Sequence, residues 1–381
     1  MAAYKYQRNS RYFVKIAEGV KEAGSHELAE LGAKDIAPEF HGIFFRADKS
    51  TLYRINYLTR LASRCLAPLV SFDCRDTDML YKKAKQIQWE DFFAAGRTFA
   101  VSANVSDSAI SHSKYASLRL KDAVADYFKE KTGKRPDVSI RNPDVLLNLH
   151  IRHDRAEISL DTSGGALHRR GYREETVSAP MQETVAAAII RFTKWNGAVP
   201  LYDPMCGSGT LLCEALMRYC NIPAGIFRNK FGFESLPDFD SSIWKQIKDK
   251  ADKSIRELPP GLIAGSDLSA EAVDAAKINI MGLNYGKHVG VVRADFRKLS
   301  AIEGQVIVTN PPYGIRMGAD EDLEAFYKDL GNFLKQKCKG STAYIYFGER
   351  RHIKKIGLKA SWKKPIKAGG LDGRLVKYEM Y

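Results

Sequence analysis

Short apolar segments and amphipathic helical segments alternate over the first part of the chain. Tyr12–Ile16 and Ile43–Phe45 are apolar runs of strand length, and each precedes a segment with helical periodicity. These helical segments are Glu18–Leu31 and Thr51–Cys65. Gly32 can adopt the left-handed conformation that ends a helix, so the first helix is predicted to stop there. The order strand, helix, strand, helix predicts a small α+β domain.

A second α+β pattern begins near Phe72. It contains a helix, a strand, a long helix with one apolar stripe and two further strands: Asp76–Trp89, Thr98–Asn104, Ala116–Phe128, Val145–Arg152 and Ala156–Asp161. Gly133 is predicted to end the long helix. The connection between the last two strands is short, which predicts a hairpin.

From Ala198 onward, strands alternate with helices. Five runs of strand length are separated mostly by helical segments: Val199–Asp203, Leu262–Asp267, Val289–Asp295, Val306–Asn310 and Ala343–Phe347. This pattern is typical of a parallel, doubly wound α/β sheet. A final pair of runs, Trp362–Ile366 and Leu375–Tyr381, predicts an antiparallel addition at the sheet edge.

An insertion between Cys220 and Pro260 interrupts this alternation. The insertion is rich in aromatic residues, which are predicted to pack on the sheet rather than form a separate domain: Phe231, Phe233, Phe239 and Trp244.

The composition is that of an ordinary folded protein, and its charge favours an anionic partner. Of 381 residues, 45% are apolar and 27% are charged, and 59 Lys and Arg against 45 Asp and Glu give a net charge of +14. This excess of positive charge favours nucleic acid as a partner, although a protein with a solvated basic surface would have the same composition. No apolar run approaches the roughly 18 residues of a membrane span, and a secretory leader is not apparent, so a cytoplasmic protein is predicted. The six cysteines lack zinc-site spacing, so no metal is predicted.

The first strand of the α/β pattern ends in a glycine loop, Asp203-Pro-Met-Cys-Gly-Ser-Gly-Thr210. Gly207 and Gly209 allow a sharp turn and a close approach of the backbone to a ligand, which predicts a nucleotide-like cofactor. The loop lacks the Gly-Lys-Ser/Thr of a phosphate loop and the third glycine of a dinucleotide site. Asp203 at the strand end suits a cationic or amine-bearing ligand better than a phosphate.

Acidic residues also end the next two strands. Asp267 is placed to accept hydrogen bonds from both hydroxyls of a ribose. Asp295 is placed to accept from an adenine amine, and Phe296 to cover the ring. Together with Asp203 these acids fall at the strand ends where open α/β sheets bind ligands.

The fourth strand leads into Asn310-Pro-Pro-Tyr313. The Asn310 side chain and the Pro311 carbonyl can both accept from an exocyclic amine and aim its lone pair at a methyl donor. Pro311 and Pro312 stiffen these acceptors by fixing φ. Tyr313 offers a ring on which a flipped-out base can stack.

On these motifs the chain resembles the class I S-adenosylmethionine-dependent methyltransferases of the Asn-Pro-Pro-Tyr type. Phe72–Asp161 is similar to a THUMP domain, Tyr12–Cys65 to the ferredoxin-like domain that precedes it, and Leu167–Arg173 to the junction between THUMP and catalytic domains. The resemblance covers nearly the whole chain and is greatest to the guanine-N2 methyltransferases of large-subunit ribosomal RNA. It implies a ferredoxin-like domain over 1–68, a THUMP RNA-binding domain over 69–165 and a Rossmann-like methyltransferase domain over 166–381.

The resemblance also implies roles for individual residues. It places S-adenosylmethionine on the glycine loop and the second and third strand ends, at Asp203, Met205, Cys206, Gly207, Ser208, Gly209, Thr210, Asp267, Leu268, Asp295 and Phe296. It assigns the target base to Asn310, Pro311, Pro312 and Tyr313. Some bacterial members carry a second methyltransferase domain, which is not in this sequence, so a second modification is not expected of it.

Two groups of basic residues are candidate RNA contacts. The first group lies on the long helix of the THUMP-like segment and just after it, at Lys114, Arg119, Lys134 and Arg135, and a solvated helix face explains it equally well. The second group lies at the domain junction, at His168, Arg169, Arg170 and Arg173. For these the alternative is that they tie the junction to the catalytic domain.

Several functions are compatible with the amine-methylating motif. Methylation of guanine N2 in 23S ribosomal RNA is the leading interpretation, and transfer RNA is the nearest alternative substrate. A protein methyltransferase acting on glutamine N5 and a DNA adenine-N6 methyltransferase use similar chemistry, but the +14 charge disfavours the former and a DNA-reading module is not apparent for the latter. A non-catalytic RNA-binding assembly factor is disfavoured because both the cofactor loop and Asn310-Pro-Pro-Tyr313 are intact.

Overall fold

The computed structural model describes residues 3–175, 181–312, 320–367 and 372–381. The chain forms two compact units. The first consists of residues 1–16, 25–167 and 228–248, and the second of residues 17–24, 168–227 and 249–381. Among the described residues, no helix combines the length and the apolar composition needed to cross a membrane.

The N-terminal part of the chain contains seven strands and five helices in the described residues. They are α1 Lys5–Asn9, β1 Arg11–Lys15, α2 Lys21–Glu30, β2 Lys34–Glu39, β3 Gly42–Arg46, α3 Lys49–Leu58, β4 Arg64–Asp73, α4 Thr77–Ala84, β5 Phe99–Ser106, α5 Ser113–Thr132, β6 Val145–Arg152 and β7 Arg155–Asp161. All seven strands form one sheet in the order β2-β3-β1-β4-β7-β6-β5. The ferredoxin-like and THUMP-like segments therefore share a sheet, joined by the antiparallel pairing of β4 with β7.

The predicted helix Thr51–Cys65 is shorter than its sequence pattern suggested, because α3 ends at Leu58 and Cys65 lies in β4. The buried carboxylate of Glu27 causes this termination. It accepts hydrogen bonds from the Thr59 hydroxyl at 2.6 Å and from the Leu61 backbone N–H at 3.2 Å. A backbone N–H bonded to this carboxylate cannot continue the helical ladder.

The long helix α5 is close to its prediction. The apolar stripe from Ala116 to Phe128 is buried, and the helix ends at Gly133, which has φ of 71° and donates its N–H to Lys129 O at 2.9 Å. The following β6–β7 hairpin also forms as predicted.

The aromatic insertion does not pack on the α/β sheet, so that prediction is wrong. Its residues 228–248 belong to the first unit, where Phe233 stacks on Tyr53 with ring centroids 4.5 Å apart. Trp244 packs edge-on against Tyr57 at 5.2 Å. Both tyrosines lie on α3, so the insertion completes the core of the N-terminal unit rather than that of the α/β unit.

The C-terminal part of the chain contains the predicted α/β fold. Its helices and strands are α6 Glu183–Thr193, β8 Leu201–Asp203, α7 Thr210–Tyr219, α8 Ser241–Lys253, β9 Ile263–Asp267, α9 Ala270–Met281, β10 Gly290–Arg293, β11 Val306–Thr309, α10 Asp320–Lys337, β12 Thr342–Phe347, β13 Trp362–Pro365 and β14 Arg374–Glu379. The sheet order is β10-β9-β8-β11-β12-β14-β13.

The topology of this sheet positions the site. Strands β8 to β12 are parallel, and β14 and β13 add the predicted antiparallel edge. The chain leaves β8 toward β9 on one side, whereas β11 lies on its other side. Such a reversal of strand order opens a crevice at the carboxyl ends of the strands, where doubly wound sheets bind ligands.

Candidate functional site

A cavity of about 1120 Å³ lies at the carboxyl ends of β8, β9, β10 and β11. Ten of the eleven residues predicted to bind a cofactor line it, namely Asp203, Met205, Cys206, Gly207, Ser208, Thr210, Asp267, Leu268, Asp295 and Phe296. Asn310 and Pro312 also line it. The fold therefore brings together residues that are more than 100 positions apart in the sequence.

The two glycines of the loop have different roles. Gly207 has φ of +53°, and a Cβ atom there would meet no described atom within 4 Å, so its position leaves room for a ligand. Gly209 has φ of +79°, but its Cβ atom would lie 3.1 Å from Ala276 Cβ on α9. Gly209 is outside the cavity lining, and its small size serves the packing of α7 on α9 rather than ligand approach.

Asp267 already holds the glycine loop in place. Its Oδ2 accepts the Gly207 N–H at 2.9 Å, and its Oδ1 accepts the Ser269 N–H at 3.0 Å. A carboxylate has about four acceptor positions, so each oxygen can accept one further hydrogen bond. Two neighbouring hydroxyl groups of a ligand can therefore bind Asp267 without displacing the loop.

Asp203 is almost completely buried, at 1% exposure. Burial raises the pKa of its carboxyl group to about 7, although Thr309 and the Met205 N–H, 3.1 Å from Oδ1, favour the charged form. A nearby cation would favour the ionised form of this carboxyl group.

We expect Asp203→Asn to increase stability at alkaline pH. The folded pKa of about 7 lies above the value near 3.9 for an unfolded aspartate, so the stability that Asp203 contributes below pH 4 is lost as the pH rises to 7. Asparagine avoids this loss, but its amide also needs partners, so we expect a gain of about 1–2 kcal/mol at pH 8. Urea unfolding from pH 5 to 8 measures it, and parallel pH profiles for the two proteins would contradict the assignment.

Asp295 is bound by a neighbouring cation. Arg297 contacts its carboxylate through Nε at 2.9 Å and Nη2 at 2.8 Å, and this hydrogen bonding lowers the pKa of Asp295. Its remaining capacity to accept from an adenine amine is small. Phe296 is 5% exposed and packs edge-on against Phe326 at 5.5 Å, so it borders the cavity from within the hydrophobic core.

The cavity is acidic although the chain is basic. Its lining contains seven carboxylate side chains and, among the described residues, Arg297 as its one basic side chain. The carboxylates are Glu175, Asp203, Asp267, Glu271, Asp274, Asp295 and Asp329. Such a site repels phosphate and favours a ligand with positive charge, as predicted from Asp203.

Asn310 presents a buried, unsatisfied acceptor at the cavity. Its Oδ1 is inaccessible to solvent and has no hydrogen-bond partner among the described residues. Burying such a group without a partner is costly, so the arrangement favours a ligand that donates a hydrogen bond here. Pro312 O accepts from the Tyr327 hydroxyl at 3.1 Å, which fixes the segment after Asn310. Pro311 lies between them and is buried, and Tyr313 lies outside the described residues.

Two of the four junction residues that were predicted to contact RNA bind other groups of the protein instead. Arg170 is 1% exposed, and its Nε donates to Glu214 Oε1 at 3.2 Å, so the prediction that Arg170 contacts RNA is wrong. Arg173 donates to Met181 O at 2.8 Å and pairs with Glu183 at 3.3 Å. For these two residues the alternative prediction, attachment of the junction to the catalytic domain, describes the structure. Arg169 is exposed and His168 is half-buried.

The basic residues of the THUMP-like segment lie at the surface. Lys114 and Lys134 are exposed, whereas Arg119 pairs with Asp78 at 2.7 Å and Arg135 with Asp126 at 3.1 Å. Surface pairs of this kind are weak, so both arginines can exchange their partners for phosphate.

Asn279 on α9 is a site residue that the sequence analysis missed. Its side chain donates to Ser208 O at 3.0 Å and Glu175 O at 2.9 Å, and its Oδ1 accepts the Glu174 N–H at 2.9 Å. It thereby fastens the glycine loop and the segment before residue 176 to one helix. The available signal was an asparagine in the middle of a helix, where it neither caps the helix nor forms a turn.

A metal site is not apparent in the described part of the chain, where no cluster of His, Cys, Asp and Glu could hold an ion. The six cysteines are all buried and unbridged.

Three family models match successive parts of the chain. Residues 11–66 match the RlmL ferredoxin-like domain, residues 74–161 match the THUMP domain, and residues 170–377 match the RMKL-like methyltransferase domain. The last match covers more than half of the chain.

Two curated proteins are similar to this chain over nearly its whole length. A Synechocystis sp. protein is 37% identical over 372 residues, or 97% of each chain, and its name assigns it provisionally to the RNA methyltransferases. The ribosomal RNA large subunit methyltransferase K/L of Syntrophotalea carbinolica is 36% identical over 97% of this chain. The match covers 53% of that protein, so the chain spans about half the length of the K/L relatives.

The fold also matches a solved structure throughout. SMU.472, described provisionally as a methyltransferase and complexed with S-adenosylhomocysteine, superposes with a TM-score of 0.86. The two chains are 26% identical, and the match covers 98% of each.

Proposed function

Because the chain belongs to the RMKL-like methyltransferases, with ferredoxin-like and THUMP domains before the catalytic domain, we propose that it methylates the exocyclic N2 of a guanosine in structured RNA. The proposed methyl donor is S-adenosylmethionine, and the proposed substrate is 23S ribosomal RNA. The observation that carries this proposal is the buried, unsatisfied Asn310 Oδ1 at the end of β11, beside the cofactor cavity.

The lining of the cavity suits the charge and the chemical groups of S-adenosylmethionine. The sulfonium and ammonium groups of this cofactor are cations, which suits the acidic lining, and Asp267 retains two acceptor positions for the ribose hydroxyls. Leu268 and Ile278 are apolar lining residues with 59% and 44% exposure, and an adenine ring would cover them. When bound, the cofactor supplies an electrophilic methyl group. The S-adenosylhomocysteine complex of SMU.472 supports this assignment.

Asn310 and Pro311 would orient the target amine. The lone pair of an exocyclic amine is delocalised into its ring, so the amine is a weak nucleophile. Two acceptors, Asn310 Oδ1 and the Pro311 carbonyl, would bind its two hydrogens and direct the lone pair toward the methyl group. Tyr313 remains the proposed stacking partner of the flipped base. A strong general base is not required, because the methylated amine is acidic enough to lose its proton to water.

The choice of RNA rests on the N-terminal half and on charge. A net charge of +14 together with an acidic cofactor cavity means that the basic excess lies elsewhere on the molecule. A THUMP domain and the name of the K/L relative support ribosomal RNA, and transfer RNA is the alternative.

Nucleoside mass spectrometry tests the proposed function. Ribosomal and transfer RNA from cells with and without the protein should differ in N2-methylguanosine of the 23S fraction, and purified protein with S-adenosylmethionine should restore it. Loss of N6-methyladenosine, or a change confined to transfer RNA or to protein glutamine, would contradict it.

We expect Asp267→Ala to weaken S-adenosylmethionine binding by about 1.5–3 kcal/mol, because two charge-assisted hydrogen bonds are lost and the Gly207 N–H is freed. Isothermal titration calorimetry measures it. Asp274→Ala is a matched control, since this carboxylate also lines the cavity but is exposed, and we expect a loss below about 0.5 kcal/mol. Equal effects of the two variants would show that Asp267 acts only through its charge.

A further inference from the structure

One face of the seven-stranded sheet in the first unit carries aromatic and polar side chains. Strand register places Phe13 of β1 directly beside Phe44 of β3, with Lys15 on the same face of β1. The same alternation places His150 and Arg152 of β6 on this face, because Leu147, Leu149 and Ile151 are buried on the other. This surface, called here the open face, is not used by the proposed catalytic mechanism.

The open face contains a cavity of about 390 Å³, lined by residues of both the ferredoxin-like and the THUMP-like segments. The turn between β2 and β3 forms one wall, where the Phe40 ring is 59% exposed. The guanidinium of Arg152 lies 5.3 Å from the centre of that ring. Phe13 and Phe44 are half-buried and tilted, with ring centroids 4.8 Å apart. A wall and a floor of aromatic rings suit a planar ligand.

Two carboxylates in the lining of this cavity or close to Lys15 are paired with cations of the protein. Glu157 pairs with Lys5 at 2.5 Å, and Asp161 pairs with Arg64. Glu39 at the rim is the exposed exception among the described lining residues.

The cations of the cavity are less well compensated. Lys15 forms no ion pair with any described residue, and its pKa is lowered by burial and by the neighbouring Arg64. Arg152 lies 3.6 Å from Asp107, an exposed and therefore weak partner. Burial and the nearby Lys15 lower the pKa of His150, which favours its neutral ring, and a neutral imidazole can both donate and accept hydrogen bonds. An anionic group bound in this cavity would balance the positive charges of Lys15 and Arg152.

We propose that the open face binds an unpaired nucleotide of the RNA, with its base stacked on Phe40 and its phosphate near Lys15 and Arg152. Asn104 and Asn148 line the same cavity and can bind the edge of the base. Bases inside a duplex cannot reach such a face, whereas unpaired bases stack on aromatic residues of a sheet. This inference rests on RNA being the substrate and adds the kind of RNA segment that this half recognises.

Binding of short RNA to the full chain tests the inference. A single-stranded oligonucleotide containing 2-aminopurine should lose fluorescence on binding, because stacking quenches this base, and a duplex of equal length should bind more weakly. Phe40→Ala should abolish the quenching and weaken binding about tenfold, since one base–aromatic stack contributes about 1–3 kcal/mol. Lys15→Gln should weaken binding and reduce the salt dependence by about one counterion.

Tyr115→Ala is the matched control. Tyr115 is 54% exposed on α5 of the same unit, away from the open face, and its removal should change neither quenching nor affinity. S-adenosylmethionine affinity should be equal in all variants. Unchanged quenching in Phe40→Ala, or equal affinity for single strand and duplex, would overturn the inference. Dissociation of a protein dimer by Phe40→Ala would also overturn it, because the open face would then bind a second copy of the chain. If the protein methylates RNA normally in that case, the proposed function stands, whereas failure to bind or methylate any RNA refutes both.

Discussion

Asn310→Ala should lose at least about 10²-fold in turnover, or about 3 kcal/mol of barrier, while its affinity for S-adenosylmethionine stays within about twofold of wild type. The cofactor is proposed to bind the ends of β8, β9 and β10, whereas Asn310 follows β11 and presents an acceptor without a partner in the described structure. Removing that acceptor leaves the cofactor site intact and frees the target amine to rotate. Single-turnover methylation of the RNA substrate, combined with calorimetry, separates the two effects.

Asn310→Asp is the matched control for this experiment. Aspartate keeps an acceptor oxygen at the same position, so it should retain more turnover than alanine, with a cost from the added buried charge. Methylation by Asn310→Ala at the wild-type rate would exclude the proposed amine-orienting role. A parallel loss of cofactor affinity would instead show that Asn310 belongs to the cofactor site.

Arg170→Met should destabilise the protein by about 3–5 kcal/mol, because it leaves the fully buried Glu214 carboxylate without its cation. Both side chains of this ion pair are 0% exposed, and the Tyr172 hydroxyl also donates to Glu214 at 3.3 Å. Chemical denaturation measures the loss of stability.

The double variant Arg170→Met/Glu214→Gln removes both charges and keeps an acceptor for Tyr172. It should recover most of the lost stability, since replacing a whole buried ion pair is often nearly neutral. It should also bind RNA as wild type does, because Arg170 is not at the surface. Weak RNA binding by a stable double variant would show that Arg170 does contribute to RNA binding. Arg169→Ala, at an exposed position, provides the comparison.

The sequence by itself determined the features that local patterns encode. Apolar periodicity identified α5 and the β6–β7 hairpin, because the period of a helix or strand is written in adjacent residues. Residues at the ends of parallel strands meet at one sheet edge in any doubly wound fold, so Asp203, Asp267 and Asn310 could be placed at one cavity in advance.

Only the tertiary structure decided which partner each side chain has. Arg170 and Glu214 are 44 residues apart, and the Tyr53 hydroxyl accepts from a backbone N–H 187 residues away. Neither pairing leaves a local signal, so a basic residue that binds RNA and one that is buried against a carboxylate have the same appearance in sequence. The aromatic insertion follows the same rule, since apolar side chains pack on whichever apolar surface the fold brings near. Here that surface belongs to α3, which is part of the same unit as the insertion.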